Sequence, residues 1–185
     1  MMADFLVPFL AIALAELGDK TQLSVLLLST RTKKHLQLLL GVMMAFLMVD
    51  GFAILVGSWI TTVVPLPVLK AVSGALFIIF GLLILRDRDV EDGKEEEKAV
   101  GNPVFSGFLL IFLAEWGDKT QLASALFATE YRPWLVLAGT MMALGLLSAA
   151  AIFLGRALLT RLDKRLISRL AGGLFLLMGI SFLLL

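Results

Sequence analysis

The chain of 185 residues contains no cysteine, a single histidine and a single tyrosine, and Asp, Glu, Lys and Arg together make up only 17% of it. Without cysteine there are no disulfides, no thiolate metal sites and no cysteine nucleophiles. His35 falls in a break between apolar runs, so the usual Cys and His ligands of zinc or copper are missing. Charge is scarce and also balanced: sixteen basic against fifteen acidic residues leave a net charge of +1, which implies no general attraction to nucleic acid or to acidic partners. Soluble domains are about 25% charged and about 45–50% apolar. This chain is 59% apolar with a mean hydropathy of +0.96, too oily for an ordinary soluble domain. Sustained period-2 alternation is absent, which disfavours a membrane β-barrel. The opening Met1-Met2-Ala3-Asp4 lacks the basic n-region of a secretory signal, so the first apolar block reads as a retained span.

What is present is a series of long apolar blocks. They run from Phe5 to Thr30, Leu36 to Ile60, Val68 to Leu85, Phe105 to Thr129, Trp134 to Leu158 and Leu166 to Leu185. About 20 helical residues cross a hydrocarbon core of roughly 30 Å, and helices satisfy their own backbone there. The expected fold class is therefore an all-α integral membrane protein with six transmembrane helices.

The two halves repeat one another. Leu14-Ala15-Glu16-Leu17-Gly18-Asp19-Lys20-Thr21-Gln22-Leu23 returns as Leu113-Ala114-Glu115-Trp116-Gly117-Asp118-Lys119-Thr120-Gln121-Leu122, at an offset of 99 with one mismatch in ten. At an offset of 98, Gly41, Met43, Met44 and Ala45 match Gly139, Met141, Met142 and Ala143, and Gly74, Leu76, Phe77 and Gly81 match Gly172, Leu174, Phe175 and Gly179. The pattern reads as a duplicated three-helix unit: residues 1–86, a charged cytoplasmic linker at 87–102, and residues 103–185. Because three spans are an odd number, the second copy is expected to enter the bilayer from the opposite side. Charge supports this inversion. With the termini outside, twelve Lys and Arg lie in the inner connections, among them Arg31, Lys33, Lys34, Arg86 and Arg161, against only Lys70 and Arg132 outside. That is the positive-inside bias, and inverted repeats of this kind typify secondary transporters with a midplane site.

The repeated motif places Glu16, Asp19, Glu115 and Asp118, with Lys20 and Lys119, near the middle of their spans. A central charge costs about 2.5–3.5 kcal/mol on the lenient insertion scale, so six cost on the order of 15 kcal/mol. A buried ion-pair network is a poor reason for that expense; an ion path is a better one. On a continuous helix at about 100° per residue, Glu16, Asp19 and Lys20 share one face, Gln22 lies a little further round, and Thr21 points away, toward a bond with its own backbone. The candidate metal ligands are thus Glu16, Asp19 and Gln22, with Glu115, Asp118 and Gln121. Gly18 and Gly117 allow either close helix approach or a local break that frees carbonyls. Hard oxygen donors suit Mn²⁺, Ca²⁺ or Mg²⁺. Four carboxylates and two lysines sum to −2, which one divalent cation or two protons would neutralise. Protons taken up when the metal leaves, and expelled when it returns, make an exchanger. Lys20 and Lys119 are then resident counter-charges.

These residues resemble the Golgi manganese/calcium exchanger family. Two copies of E-x-G-D-[KR]-[ST], at Glu16 to Thr21 and Glu115 to Thr120, look like the paired motif of that family and its small prokaryotic members, and the likeness covers essentially the whole chain. The resemblance implies cation/proton antiport with Mn²⁺ or Ca²⁺ as substrate, Mn²⁺ export from the cytoplasm, and Glu16, Asp19, Glu115 and Asp118 as the binding carboxylates. It further implies that Lys20, Thr21, Lys119 and Thr120 complete the motif.

Outside the motif, Asp50 lies mid-span opposite Ser148 in the repeat; it reads equally as a proton relay or extra ligand and as a hydrogen-bonding brace to a neighbouring helix. The methionine pairs read as adaptable packing, and the seven acids between Arg86 and Lys98 as a solvated linker. No resident cofactor and no enzymatic activity are expected. The expected partners are the divalent cation, protons and the lipid of a prokaryotic cytoplasmic membrane, with a homo-oligomer also open. Export of an amino acid or other organic cation is the alternative, and a non-transporting scaffold comes third. An intramembrane aspartyl protease does not fit, because the G-x-G-D pattern is absent.

Overall fold

A computed structural model describes residues 2–86, 101–154 and 164–184. The order is α1 (Met2–Glu16), α2 (Lys20–Thr30), α3 (His35–Val63), α4 (Leu66–Arg86), α5 (Pro103–Glu115), α6 (Lys119–Glu130), α7 (Pro133–Ala149), a π-helical turn (Ala150–Leu154) that prolongs α7, and α8 (Lys164–Leu184). No strand occurs among the described residues. Breaks fall where local chemistry demands them. Asn102 caps α5 by accepting the Val104 N–H at 3.0 Å, and Pro103 supplies the fixed φ of the first turn. Pro133 does the same for α7. Most of the 87–102 linker, Arg161 of the basic segment and the side chain of Lys20 lie outside the described residues.

The structure departs from the sequence reading inside two blocks. Where single spans were expected from Phe5 to Thr30 and from Phe105 to Thr129, each is two helices, α1 then α2 and α5 then α6. The cause is a left-handed glycine between them. Among the described residues α3, α4 and α7 with its π-turn are each long and apolar enough to cross a membrane, whereas Thr21–Thr30, Pro103–Glu115 and Arg169–Leu184 are shorter apolar helices.

Packing exchanges the two halves. A Cβ on Gly41 of α3 would lie 2.0 Å from the Val104 carbonyl oxygen of α5, and one on Gly139 of α7 would lie 2.6 Å from that of Phe5 in α1. These four residues are repeat counterparts, so one contact maps onto the other when the halves are swapped. On α4 and α8, Gly74 meets the carbonyl of Gly179 and Gly81 that of Gly172; as numbers rise on one helix they fall on the other, so the pair runs antiparallel. Only small residues permit backbones this close.

Large apolar side chains face outward while several charged and polar ones are buried. Leu40, Leu55, Trp59, Leu113 and Leu177 are exposed, while Glu16, Asp50, Glu115, Thr120 and Ser124 are buried. A surface this apolar is suited to lipid. A continuous core led by Phe77, Phe127 and Phe175 packs behind the polar residues.

Candidate functional site

The site is built at the two helix breaks. Gly18 and Gly117 have φ of +83° and +85°, a conformation no non-glycine residue adopts among the described residues. Glu16 and Glu115 end α1 and α5, and their carbonyls accept the N–H of Asp19 at 3.1 Å and Asp118 at 3.2 Å. Asp118 then caps α6, its side chain accepting the Thr120 N–H at 3.5 Å. Each break is therefore a helix ended by a glycine beyond its last turn; the second helix restarts on the Asp118 cap, and in the first Asp19 holds the equivalent position just before α2. The aspartates sit at the positive ends of α2 and α6, where negative charge is favoured. Of the two roles left open for the motif glycines, the local break is the one observed.

Gln22 and Gln121 fasten these breaks. The carboxamide oxygen of Gln22 accepts the Gly18 N–H at 3.3 Å, and that of Gln121 accepts the Gly117 N–H at 2.7 Å. Gln121 also donates from Nε2 to the Val49 carbonyl of α3 at 3.3 Å. Each glutamine thus uses the oxygen expected to face a cation on a backbone donor of its own turn.

Two hydroxyls tie the halves together. Thr21 donates to Glu115 Oε1 at 2.6 Å, and Thr120 donates to Glu16 Oε1. Thr21 was expected to turn to its own backbone. That expectation assumed one unbroken helix, and the break re-aims the hydroxyl at the opposite half. The angles reckoned between Glu16 and Asp19 fail for the same reason, though both residues still reach the same place.

One ligand oxygen from each of Glu16, Asp19 and Asp118 lies within 4.8 Å of the others. Two oxygens bound to one Ca²⁺ at about 2.3–2.6 Å can be no more than about 4.6–5.2 Å apart, so this group has the span of a single-ion site. Glu115 stands beside it, bound to Thr21. Lys119 donates from Nζ to Asp19 Oδ2 at 2.7 Å, again across the halves. Asp50 is buried on α3 and accepts the Ser124 hydroxyl of α6 at 2.9 Å; it is outside the three-carboxylate group. Ser124 was not singled out from sequence, and its counterpart, Val25, carries no signal that would have marked it. Met43 and Met141 pack on the core, as expected of packing residues, while Met44 and Met142 face outward.

Comparison with known proteins adds independent findings. A family model described as "Divalent cation/proton antiporter GDT1" matches residues 4–92 and 103–185. A Vibrio cholerae protein named "Putative manganese exporter" is 30% identical over 184 residues, covering 98% of this chain and 90% of that one. GDT1-like protein sll0615 of Synechocystis is 28% identical over 200 residues, covering 97% and 96%. GDT1-like protein 5 of rice is 26% identical over 205 residues, covering 90% and 88%. No solved structure matches.

Proposed function

We propose, because the chain belongs to the GDT1 family of divalent cation/proton antiporters, that it exports Mn²⁺ from the cytoplasm in exchange for protons. Ca²⁺ is the next substrate in order. The observation that carries this reading is the convergence of Glu16, Asp19 and Asp118 from both halves on a volume that one cation spans. The name of the Vibrio cholerae relative favours manganese over calcium. Glu115 joins as the fourth carboxylate, and the glutamine clasps hold the two breaks in register.

The membrane arrangement follows the same reading. Six crossings, with α1–α2 and α5–α6 each counted as one broken span, form two inverted repeats with both termini outside a prokaryotic cytoplasmic membrane. The antiparallel α4–α8 pair supports inversion. Half-helix ends at the midplane give a site of fixed dipoles and carboxylates. Binding a divalent cation there requires the carboxylates to be free of protons, so loading expels protons and unloading takes them up. The two substrates compete for one set of oxygens, and no covalent chemistry or resident cofactor is needed.

The test is purified protein in sealed liposomes with a pH dye inside, challenged with Mn²⁺, Ca²⁺, Mg²⁺ or Zn²⁺ beside Asp19→Asn and Glu115→Gln. The expected result is proton movement driven best by Mn²⁺ and abolished in both variants. Metal uptake without proton movement would remove the exchange mechanism, and silence toward every metal would remove the cation.

A further inference from the structure

Lys119 already does at Asp19 what a substrate cation would do. It opens α6 directly after Asp118, and its ammonium reaches 2.7 Å from an oxygen of Asp19 in the other half. Asp19 is one of the three carboxylates whose oxygens lie within 4.8 Å of one another. The two side chains are 29% and 24% exposed, so the pair is largely withdrawn from the solvent that would screen it. A lysine is a compact point charge on a flexible four-carbon stem, and here the stem is anchored beside another carboxylate of the same group. It can leave Asp19 and come back without leaving the site.

Two cations cannot share this cluster cheaply. An ammonium already satisfying Asp19 repels a divalent ion at contact distance, and an ion that takes Asp19 removes an acceptor from the ammonium. We propose that Lys119 is a tethered competitor for the substrate: it occupies Asp19 when the site holds no metal, is displaced on loading, and returns to hasten release. The proposal rests on the cation-exchange reading above and deepens it by naming what regulates affinity at that site. It differs from a structural lock between halves, which would lose both stability and binding on removal.

A purely structural pair and a competitor predict opposite signs. With Lys119→Met, which keeps the stem and removes the charge, Mn²⁺ affinity measured by equilibrium dialysis in detergent is expected to rise by roughly tenfold or more. In liposomes the apparent KM should fall together with Vmax, because release slows. Affinity that is unchanged or weaker in this variant, beside a wild type that binds Mn²⁺, would overturn the proposal. A second measurement needs no variant. Amine acylation of the wild-type protein, read at Lys119 by peptide mass spectrometry, should increase when Mn²⁺ is added and not when Na⁺ is added at matched ionic strength. Acylation unaffected by Mn²⁺ at a concentration that saturates binding would equally overturn it. A wild type that binds no divalent ion in dialysis would instead sink the exchange reading on which the proposal rests.

Discussion

The hydroxyl of Thr120 donates to the carboxylate of Glu16 across the boundary between the two halves. Its counterpart, Thr21 to Glu115, makes the same bond in the other direction. Both glutamates are buried, so each bond satisfies an acceptor that has little recourse to water. Removing one partner of a buried hydrogen bond costs about 1–3 kcal/mol. Thr120→Val is expected to lower the thermal midpoint and the Mn²⁺ exchange rate, whereas Thr120→Ser should keep most of both. Thermal unfolding by tryptophan fluorescence in detergent and flux in liposomes give the two readings. A valine variant indistinguishable from wild type in both would remove the bond from the mechanism.

The glycines of the two breaks are a second point of test. A non-glycine residue in the left-handed region costs roughly 1–2 kcal/mol, and nothing stands within 4 Å of a Cβ built on Gly18 or Gly117. The penalty of Gly117→Ala is thus conformational, not steric. The variant should insert and remain folded yet lose most exchange, as the Glu115 and Asp118 side chains shift with the backbone. Full exchange at wild-type expression would show that the break tolerates any residue.

Close helix approach can be separated from glycine in general. Gly41→Ala drives a methyl into the Val104 carbonyl, while Gly51 and Gly173 have nothing within 4 Å of a built Cβ. Overpacking costs about 1–3 kcal/mol or more, so Gly41→Ala should depress the thermal midpoint clearly. Gly51→Ala should be neutral or slightly stabilising, by up to about 1 kcal/mol. Equal behaviour of the two variants would count against the α3–α5 contact.

Asp50 is buried and Asp118 partly so, and the two acids should part company in metal binding. Asp118 belongs to the three-oxygen group, and Asp50 is bound to Ser124 outside it. Asp118→Asn is expected to weaken Mn²⁺ binding by at least about tenfold, in line with loss of one charged ligand. Asp50→Asn, which keeps an acceptor for Ser124, should leave Mn²⁺ affinity near wild type. Equilibrium dialysis decides, and a large loss with Asp50→Asn would make it a ligand.

Acidity supplies a further check on competition. On the exchange reading, in which metal and protons contend for the same carboxylates, the apparent Mn²⁺ affinity should weaken as pH falls and recover as it rises. A pH-independent binding isotherm would separate the two sites.

Much of this was legible in residues. The doubled ten-residue motif marked where the carboxylates lie in each half, though not that the helices break there, and Pro103 and Pro133 stand at the start of α5 and α7 as their chemistry requires. The local signs of a break were nonetheless present: Gly18 followed by Asp19 is a helix stop followed by a helix start. A wheel drawn through it as one continuous helix sent Thr21 the wrong way. The destinations of Thr21, Thr120 and Lys119 depend on the opposite half, and no local pattern carries information about a partner about a hundred positions off. Ser124 was invisible for the same reason, since its bond to Asp50 exists only once α6 lies against α3.

Each half carries both partners of the contacts that join it to the other. Residues 1–86 hold Gly41 and Phe5, Thr21 and Glu16, Gly74 and Gly81; the second half holds their counterparts. This is the isologous interface of a symmetric dimer, written into a single chain. Either half alone carries every surface needed to pair with a copy of itself. The two halves are not identical, and Asp50, whose equivalent position holds Ser148, marks one place where they differ.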